Sequence, residues 1–409
     1  MKHSSLTVIM IFLCFFSTLK GQEQDNFTSL SGRLQDRQTQ EPLSFASIYI
    51  LGTTVGTTSN TEGDFIFHIP AGLSNDTVVI SLIGYHTIQK KLTEFDPEEV
   101  LLLDKSILEL AEVVVTAEKR LTAKQIVQKA YQSMPQNYPS EPYILEGFVR
   151  DLQNEDEQYV EFMECALKLR YQKYDLARRP SVELQAVRRS YIAKKHPWNK
   201  GRDRKNVIVD IVEDDFIRYD YGPIRAKGGW KYEIESVLPF DNRFVYKITA
   251  IDKPFQTAIL YIDTESFAFV RMELTRKTHK GRSWRRRMGS GQKQVYYHVI
   301  FEYQEHQGKM YLKYQKEEDS WEIYKNVESN KLVFTQYPKK ELFINKVITQ
   351  EVDQYAFKPN LQIDTSVEDQ AGEYNPSFWA YYNVPTQTKE LSQIEAYLKA
   401  AQVEVKGKE

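Results

Sequence analysis

The chain has 409 residues, 41% of them hydrophobic and 27% charged, with a formal net charge of −2, 26 Tyr and 21 Phe. That length leaves room for two or three domains and a sizeable core, and many Tyr and Phe with modest Gly and Pro favour β structure. Near-neutral charge excludes general affinity for nucleic acid, and two cysteines exclude a disulfide-built scaffold.

The first residues predict a sorting signal. Lys2 and His3 precede "LTVIMIFLCFF" (Leu6–Phe16), an almost wholly apolar run. It is shorter than the roughly 20 residues needed to span a membrane. It therefore reads as a secretory peptide, residues 1–21, cut after Gly21. Leu13 is too bulky for a lipoprotein cut at Cys14. No later stretch approaches a membrane-spanning length of apolar residues. Cys165 then stands alone, and Phe162, Met163, Ala166, Leu167 and Leu169 around it predict a packed thiol.

Residues 28–104 predict a β-sandwich. Ile48 and Ile50 alternate with Tyr49 and Leu51, and Phe65 and Phe67 alternate with Ile66 and His68. "NTEGDF" (Asn60–Phe65) is a turn in which Gly63 can take positive φ, and Gly84 marks a bend at a strand end. Gly32, Asp36, Glu41-Pro42-Leu43, Ala46, Gly52-Thr53, Gly56, Gly63, Phe65, Pro70 and "SLIGY" (Ser81–Tyr85) together resemble the carboxypeptidase-regulatory-like domain of Bacteroidota envelope proteins. That resemblance implies a transthyretin-like, seven-stranded sandwich and no peptidase chemistry. Ser59-Asn60 departs from the family's usual Thr-Asp, which weakens any cation site there. A zinc carboxypeptidase needs a His with Glu three residues on, and neither that pattern nor H-E-x-x-H is present.

Next comes "LELAEVVVTAEK" (Leu108–Lys119). It resembles the segment ahead of the plug in TonB-dependent transporters. Too few residues follow for a plug and a barrel of roughly 22 strands. Residues 105–121 are therefore expected to be a linker or edge strand around Val113–Val115, with Glu112 a minor candidate for TonB contact. Thr122 and Gln125 fit a capping box, and Ile126, Val127, Ala130, Tyr131 and Met134 share a helical face.

Residues 122–387 predict an antiparallel β domain of long strands, a meander or half-barrel, with a few short helices. "IDTESF" (Ile262–Phe267) and "EHQGKM" (Glu305–Met310) are hairpin turns. Arg271 and Glu273 are expected to share a face with Phe267 and Phe269, a mixed face unlike the lipid side of a membrane barrel. "YIDTESFAFVRME" resembles a repeat in LolA/LolB-type lipoprotein carriers, which implies a curved sheet around an apolar cavity. "FWAYYN" (Phe378–Asn383) is an aromatic cluster. Residues 388–409 form a final helix and tail, with Leu391, Ile394, Tyr397 and Leu398 on one face.

Charge is uneven. Residues 168–206 and 274–301 are rich in Lys and Arg. The bland expectation is solvated loops and cross-strand pairs. The sharper one is an anion-binding rim of Arg282, Arg285, Arg286 and Arg287, facing lipopolysaccharide phosphates or an acidic glycan. Catalytic motifs are missing: no G-x-S-x-G, P-loop or G-x-G-x-x-G. Ser290 in "MGSGQK" and the carboxylate pairs Glu155/Glu161 and Asp263/Glu265 carry no diagnostic spacing. The expected function is a non-catalytic exported envelope protein, periplasmic or outer-membrane associated, without cofactor or metal. It would bind a glycan, lipid or partner protein, with peripheral membrane association. A small outer-membrane barrel or TonB-linked accessory, and an unrecognised hydrolase, are the alternatives.

Overall fold

The computed structural model describes residues 27–106, 121–175, 178–193, 207–213, 215–220, 222–253, 255–277, 284–287, 290–326, 331–365, 367, 370 and 374–406. The apolar run of residues 6–16, the stretch Leu108–Lys119 and Arg282 lie outside them. The protein is mostly β, 51% strand and 16% helix.

Seven strands form the N-terminal sandwich: β1 Phe27–Asp36, β2 Ser47–Ile50, β3 Gly56–Thr58, β4 Asp64–Pro70, β5 Thr77–Ser81, β6 Ile88–Lys91 and β7 Glu99–Leu103. They make two sheets, in the orders β4-β1-β7 and β3-β2-β5-β6. Strict alternation fills the space between them. Ile48, Ile50, Phe65, Phe67 and Ile69 are all but fully buried, while Ile66 and Leu51 face out. The turn before β4 is built by Asn60, whose Oδ1 accepts from the N–H groups of Glu62 and Asp64 at 2.8 and 2.9 Å. Gly63 sits there at φ +80°, and a Cβ would lie 2.4 Å from the Leu34 carbonyl oxygen.

Helix Ala123–Gln132 follows, capped as expected: Thr122 accepts from the Gln125 N–H, and the Gln125 side chain accepts from the Thr122 N–H. Ile126, Val127, Ala130 and Met134 are buried, and Tyr131 hydrogen-bonds Asp220 at 3.1 Å.

Twelve strands form one antiparallel sheet: β8 Tyr143–Glu155, β9 Gln158–Tyr171, β10 Ser181–Ile192, β11 Lys231–Phe240, β12 Arg243–Lys253, β13 Gln256–Asp263, β14 Phe269–Lys277, β15 Trp284–Arg287, β16 Ser290–His306, β17 Lys309–Tyr324, β18 Leu332–Gln336 and β19 Lys339–Ile348. The main path runs β10-β9-β8-β18-β17-β16-β14-β13-β12-β11, with β15 on β16, and β19 between β17 and β8. Both expected hairpins are present. Asp263 accepts from the N–H groups of Glu265 and Ser266 in one, and Gln307 and Gly308 take φ of 51° and 74° in the other.

One register expectation is corrected. A β-bulge separates the pairs Tyr261–Arg271 and Ile262–Phe269. It turns Phe269 into the same core as Met272 and Leu274, away from Arg271 and Glu273.

The two faces of the sheet are covered differently. One packs on Ala123–Gln132 and on the short helices Val207–Val212 and Phe216–Tyr219, which connect β10 to β11. The apolar interior implied by the carrier resemblance is thus occupied by the chain's own side chains, among them Ile208, Ile211 and Phe216. Cys165 is fully buried in this core. Arg218 enters it too, donating to the Tyr143 hydroxyl at 2.8 Å and lying 3.9 Å from the Tyr171 ring centroid.

The other face carries a charge network. Arg271 bonds Glu273 and Glu302, Lys313 bonds Glu302, and Arg150 and Arg188 both bond Glu164. Over it lie the sandwich and the tail. Phe45 stacks on Tyr314 at 5.2 Å, Tyr49 donates to Asp241, and Thr54 exchanges hydrogen bonds with the Val347 backbone. Phe378, Trp379 and Tyr382 of the expected aromatic cluster pack together over Phe148. In the last helix, Lys389–Lys406, Ile394 and Leu398 are buried, but Tyr397 is 46% exposed and leaves the expected face. Among the described residues no helix is long and apolar enough to cross a membrane.

Candidate functional site

Period-two alternation brings one set of side chains onto the charged face of the sheet. Arg150, Leu152 and Asn154 come from β8, and Lys339, Glu341 and Phe343 from β19. Tyr159, Tyr296, Glu318 and Ser320 join them from β9, β16 and β17. Phe45, Asn60 and Thr61 of the sandwich close one side, and Pro385, Thr388, Glu390, Leu391 and Ile394 of the tail close another. Together they line a cleft of about 640 Å³, within the size range of small-molecule sites.

Its floor is a buried ion network. Arg150 Nε donates to Glu164 at 2.8 Å, Arg188 Nε donates to the same carboxylate at 2.6 Å, and Arg150 lies 3.7 Å from Glu341. Both guanidinium groups face the Phe148 ring, and Arg188 also faces Trp379. On the wall, Lys316 donates to Glu318 at 2.7 Å and the His298 ring nitrogen lies 3.4 Å away. Burial pushes the Glu318 carboxyl up, but hydrogen bonds from His298 and Lys316 and the charges of Lys316 and Lys339 outweigh it and hold it at about 2. Burial, with Glu318 nearby, raises Tyr296, and burial with Glu390 raises Tyr159, so both hydroxyls stay protonated donors. Asn154 Oδ1 is buried without a hydrogen-bond partner among the described residues. The cleft therefore offers rings, protonated hydroxyls, an amide and the ionised Glu318 carboxylate.

A second pocket of about 280 Å³ lies where Tyr49 and Ser81 of the sandwich meet Arg243, Gln304 and His306. Burial lowers the His306 pKa, and Arg243 bonds Glu305 at 2.8 Å.

The residues singled out from the sequence are scattered. Arg285, Arg286 and Arg287 lie on β15, opposite Gln292, Gly291 and Ser290 of β16; their side chains, like Ser290's, are outside the described ones. Several described basic residues of the first basic stretch are paired across strands and loops: Lys168 with Glu146 and Glu183, Arg170 with Asp353, Arg179 with Glu213. Asp263 is occupied by its own hairpin turn. Glu155 and Glu161 lie on the β8–β9 hairpin, paired in register with Gln158 and Gln153. Among the described residues no group of three His, Cys, Asp or Glu is placed to hold a metal ion. None of the cleft residues carried a catalytic or binding motif. They span Phe45 to Ile394, and the sequence pointed to a few of them only as parts of a turn, a helix face or alternating strands.

Residues 30–115 match the family described as the CarboxypepD_reg-like domain. The N-terminal sandwich is a CarboxypepD_reg-like domain. Its seven strands match the number the resemblance implied, and Gly63 and Gly84, read from the residues as a turn and a bend, take positive φ of 80° and 87°. No curated protein matches the chain. Among solved structures, a LolA superfamily protein from Nitrosomonas europaea is similar at 12% identity, over 59% of this chain and 100% of that one, with a TM-score of 0.23. An outer membrane lipoprotein-sorting protein domain from Vibrio parahaemolyticus is similar at 9% identity, over 55% and 92%, with a TM-score of 0.25. The MucA/MucB complex of Pseudomonas aeruginosa contains a chain similar at 9% identity, over 59% and 99%, with a TM-score of 0.20. These are loose likenesses. The cleft lies against the CarboxypepD_reg-like domain and is specific to how that domain packs on the sheet and tail.

Proposed function

We propose that the protein is an exported, non-catalytic envelope protein that holds a glycan in the cleft between the CarboxypepD_reg-like domain, the sheet and the tail helix. The observation that carries this is the lining itself. Tyr159, Tyr296 and Tyr337 line the cleft with aromatic rings, on which the C–H face of a sugar can stack. Tyr hydroxyls, Asn154 and the carboxylates supply the hydrogen bonds that sugar hydroxyls need when they leave water. Glu318, held ionised, suits hydrogen-bond acceptance and not acid catalysis at neutral pH. The N-terminal apolar run supports export, and the family resemblance supports an envelope location.

A glycan array on the mature protein tests the binding, with Tyr296→Ala and Tyr337→Ala as cleft variants. Tyr337 is 44% exposed, so its loss leaves the fold intact. Binding that disappears in both variants supports the reading; glycan binding that survives both overturns the site. Detergent-free fractionation tests the location. Recovery only from carbonate-resistant outer membrane, with heat-modifiable migration, would make the protein a membrane barrel.

A further inference from the structure

The cleft's charge is the reverse of what the arginine-rich stretches suggested. Its walls carry Glu318, Asp319, Glu341 and Glu390 against Arg150 and Lys339. Arg150 is committed to Glu164 and Glu341, and Lys339 stands 3.9 to 4.0 Å from Glu341 and Glu318. Lys316 reaches Glu318 from outside the lining, and with it the carboxylates still outnumber the cations among the described residues. Glu390, on the tail, accepts from the neutral Tyr159 hydroxyl at 3.2 Å.

The uncharged groups lean the same way. Asn154 Oδ1, an acceptor, is buried without a partner among the described residues. The rings of Tyr159 and Tyr296, which line the cleft, carry the negative side of an aromatic quadrupole, which attracts an ammonium group. An anionic glycan would bring phosphate or carboxylate against this wall, where like charges repel. A sugar bearing an N–H₃⁺ group would meet the carboxylates and the tyrosine rings of this wall.

We propose that the cleft takes a glycan carrying free amino groups, its ammonium held by the carboxylates and the tyrosine ring faces. This deepens the glycan reading and rests on it.

Calorimetric titration of the full mature chain with three probes tests it: a glucosamine oligosaccharide, its N-acetylated counterpart of equal length, and spermidine. The amino sugar is expected to bind about tenfold tighter than the acetylated one, with the gap closing as salt rises. Glu390→Gln, at the exposed start of the tail helix, should narrow that gap by about threefold while leaving the urea midpoint unchanged. Equal binding of the two oligosaccharides at low salt overturns the inference and leaves the glycan reading standing. Spermidine binding as tightly as the amino sugar, with the same dependence on Glu390, overturns it by making charge alone sufficient. Binding of neither saccharide removes the glycan reading, and the inference with it.

Discussion

Glu164→Gln is the sharpest perturbation of this architecture. Glu164 is 1% exposed and sits on β9 between Arg150, at 2.8 Å, and Arg188, at 2.6 Å. The side chains of the two arginines are 7% and 14% exposed, so water does little to screen the exchange. Removing one negative charge leaves two guanidinium groups facing each other across a neutral amide, with Glu341 3.7 Å from Arg150 as remaining compensation. Breaking a buried ion pair by removing one partner costs about 3–5 kcal/mol. The residual pair to Glu341 argues for the lower end of that range. Urea denaturation followed by tyrosine and tryptophan fluorescence measures it, since Trp379 packs on Arg188 and on Phe148. Adding Arg188→Met to the Glu164→Gln variant should recover part of the loss by removing one of the two guanidinium groups that share the site. A loss under about 1 kcal/mol in the single variant would refute the claim that this network is a dry, tightly coupled floor to the cleft.

Two glycines separate crowding from backbone conformation. Gly63→Ala should destabilise the CarboxypepD_reg-like domain by more than about 2 kcal/mol, because φ is +80° and the new Cβ meets the Leu34 carbonyl oxygen. Gly308→Ala, at φ +74° with open space around it, should cost about 1 kcal/mol; equal losses would show that the Leu34 contact relaxes freely. The Glu318 carboxyl lies below its usual 4.5, at about 2, so its contribution is full above pH 4.5 and fades as pH falls towards 2. The stability difference between the wild type and Glu318→Gln should follow that curve in acid denaturation, and a difference that persists at pH 2 would contradict it. Replacing Arg285, Arg286 and Arg287 on β15 with Ala tests the arginine rim proposed from the sequence. It should leave amino-sugar binding unchanged, since that binding is assigned to Tyr159, Tyr296, Glu318 and Glu390, and a loss of lipopolysaccharide binding would establish a separate anion site.

Local chemistry made much of the fold legible. Alternation at Ile48/Ile50 and Phe65/Phe67, the Asn60–Gly63 turn, the Thr122–Gln125 cap and the Gly308 hairpin each depend on residues within a few positions of one another. Such signals survive in the linear chain because the forces behind them are short-ranged. Phe269 escaped because a single bulged residue shifts every later side chain of β14 relative to its partner strand, and the pattern does not record where the bulge falls. Tyr397 escaped because the helix rolls to bury Ile394 and Leu398 against Phe162, leaving the tyrosine at the edge of the apolar stripe.

The amino-acid sequence by itself determined a β-rich chain with an accessory sandwich, a capped joint helix and a meander of hairpins. Only the tertiary structure decided what that meander encloses and where a ligand could sit. Its inner face is filled by the Val207–Val212 and Phe216–Tyr219 helices, and its charged face is roofed by the sandwich and tail. Long-range packing chose Phe45, Arg150, Tyr296, Glu318 and Glu390, residues separated by up to hundreds of positions, as neighbours in one cleft. Their charge balance, acidic where the basic stretches had pointed to cations, emerges only when those distant strands are laid side by side.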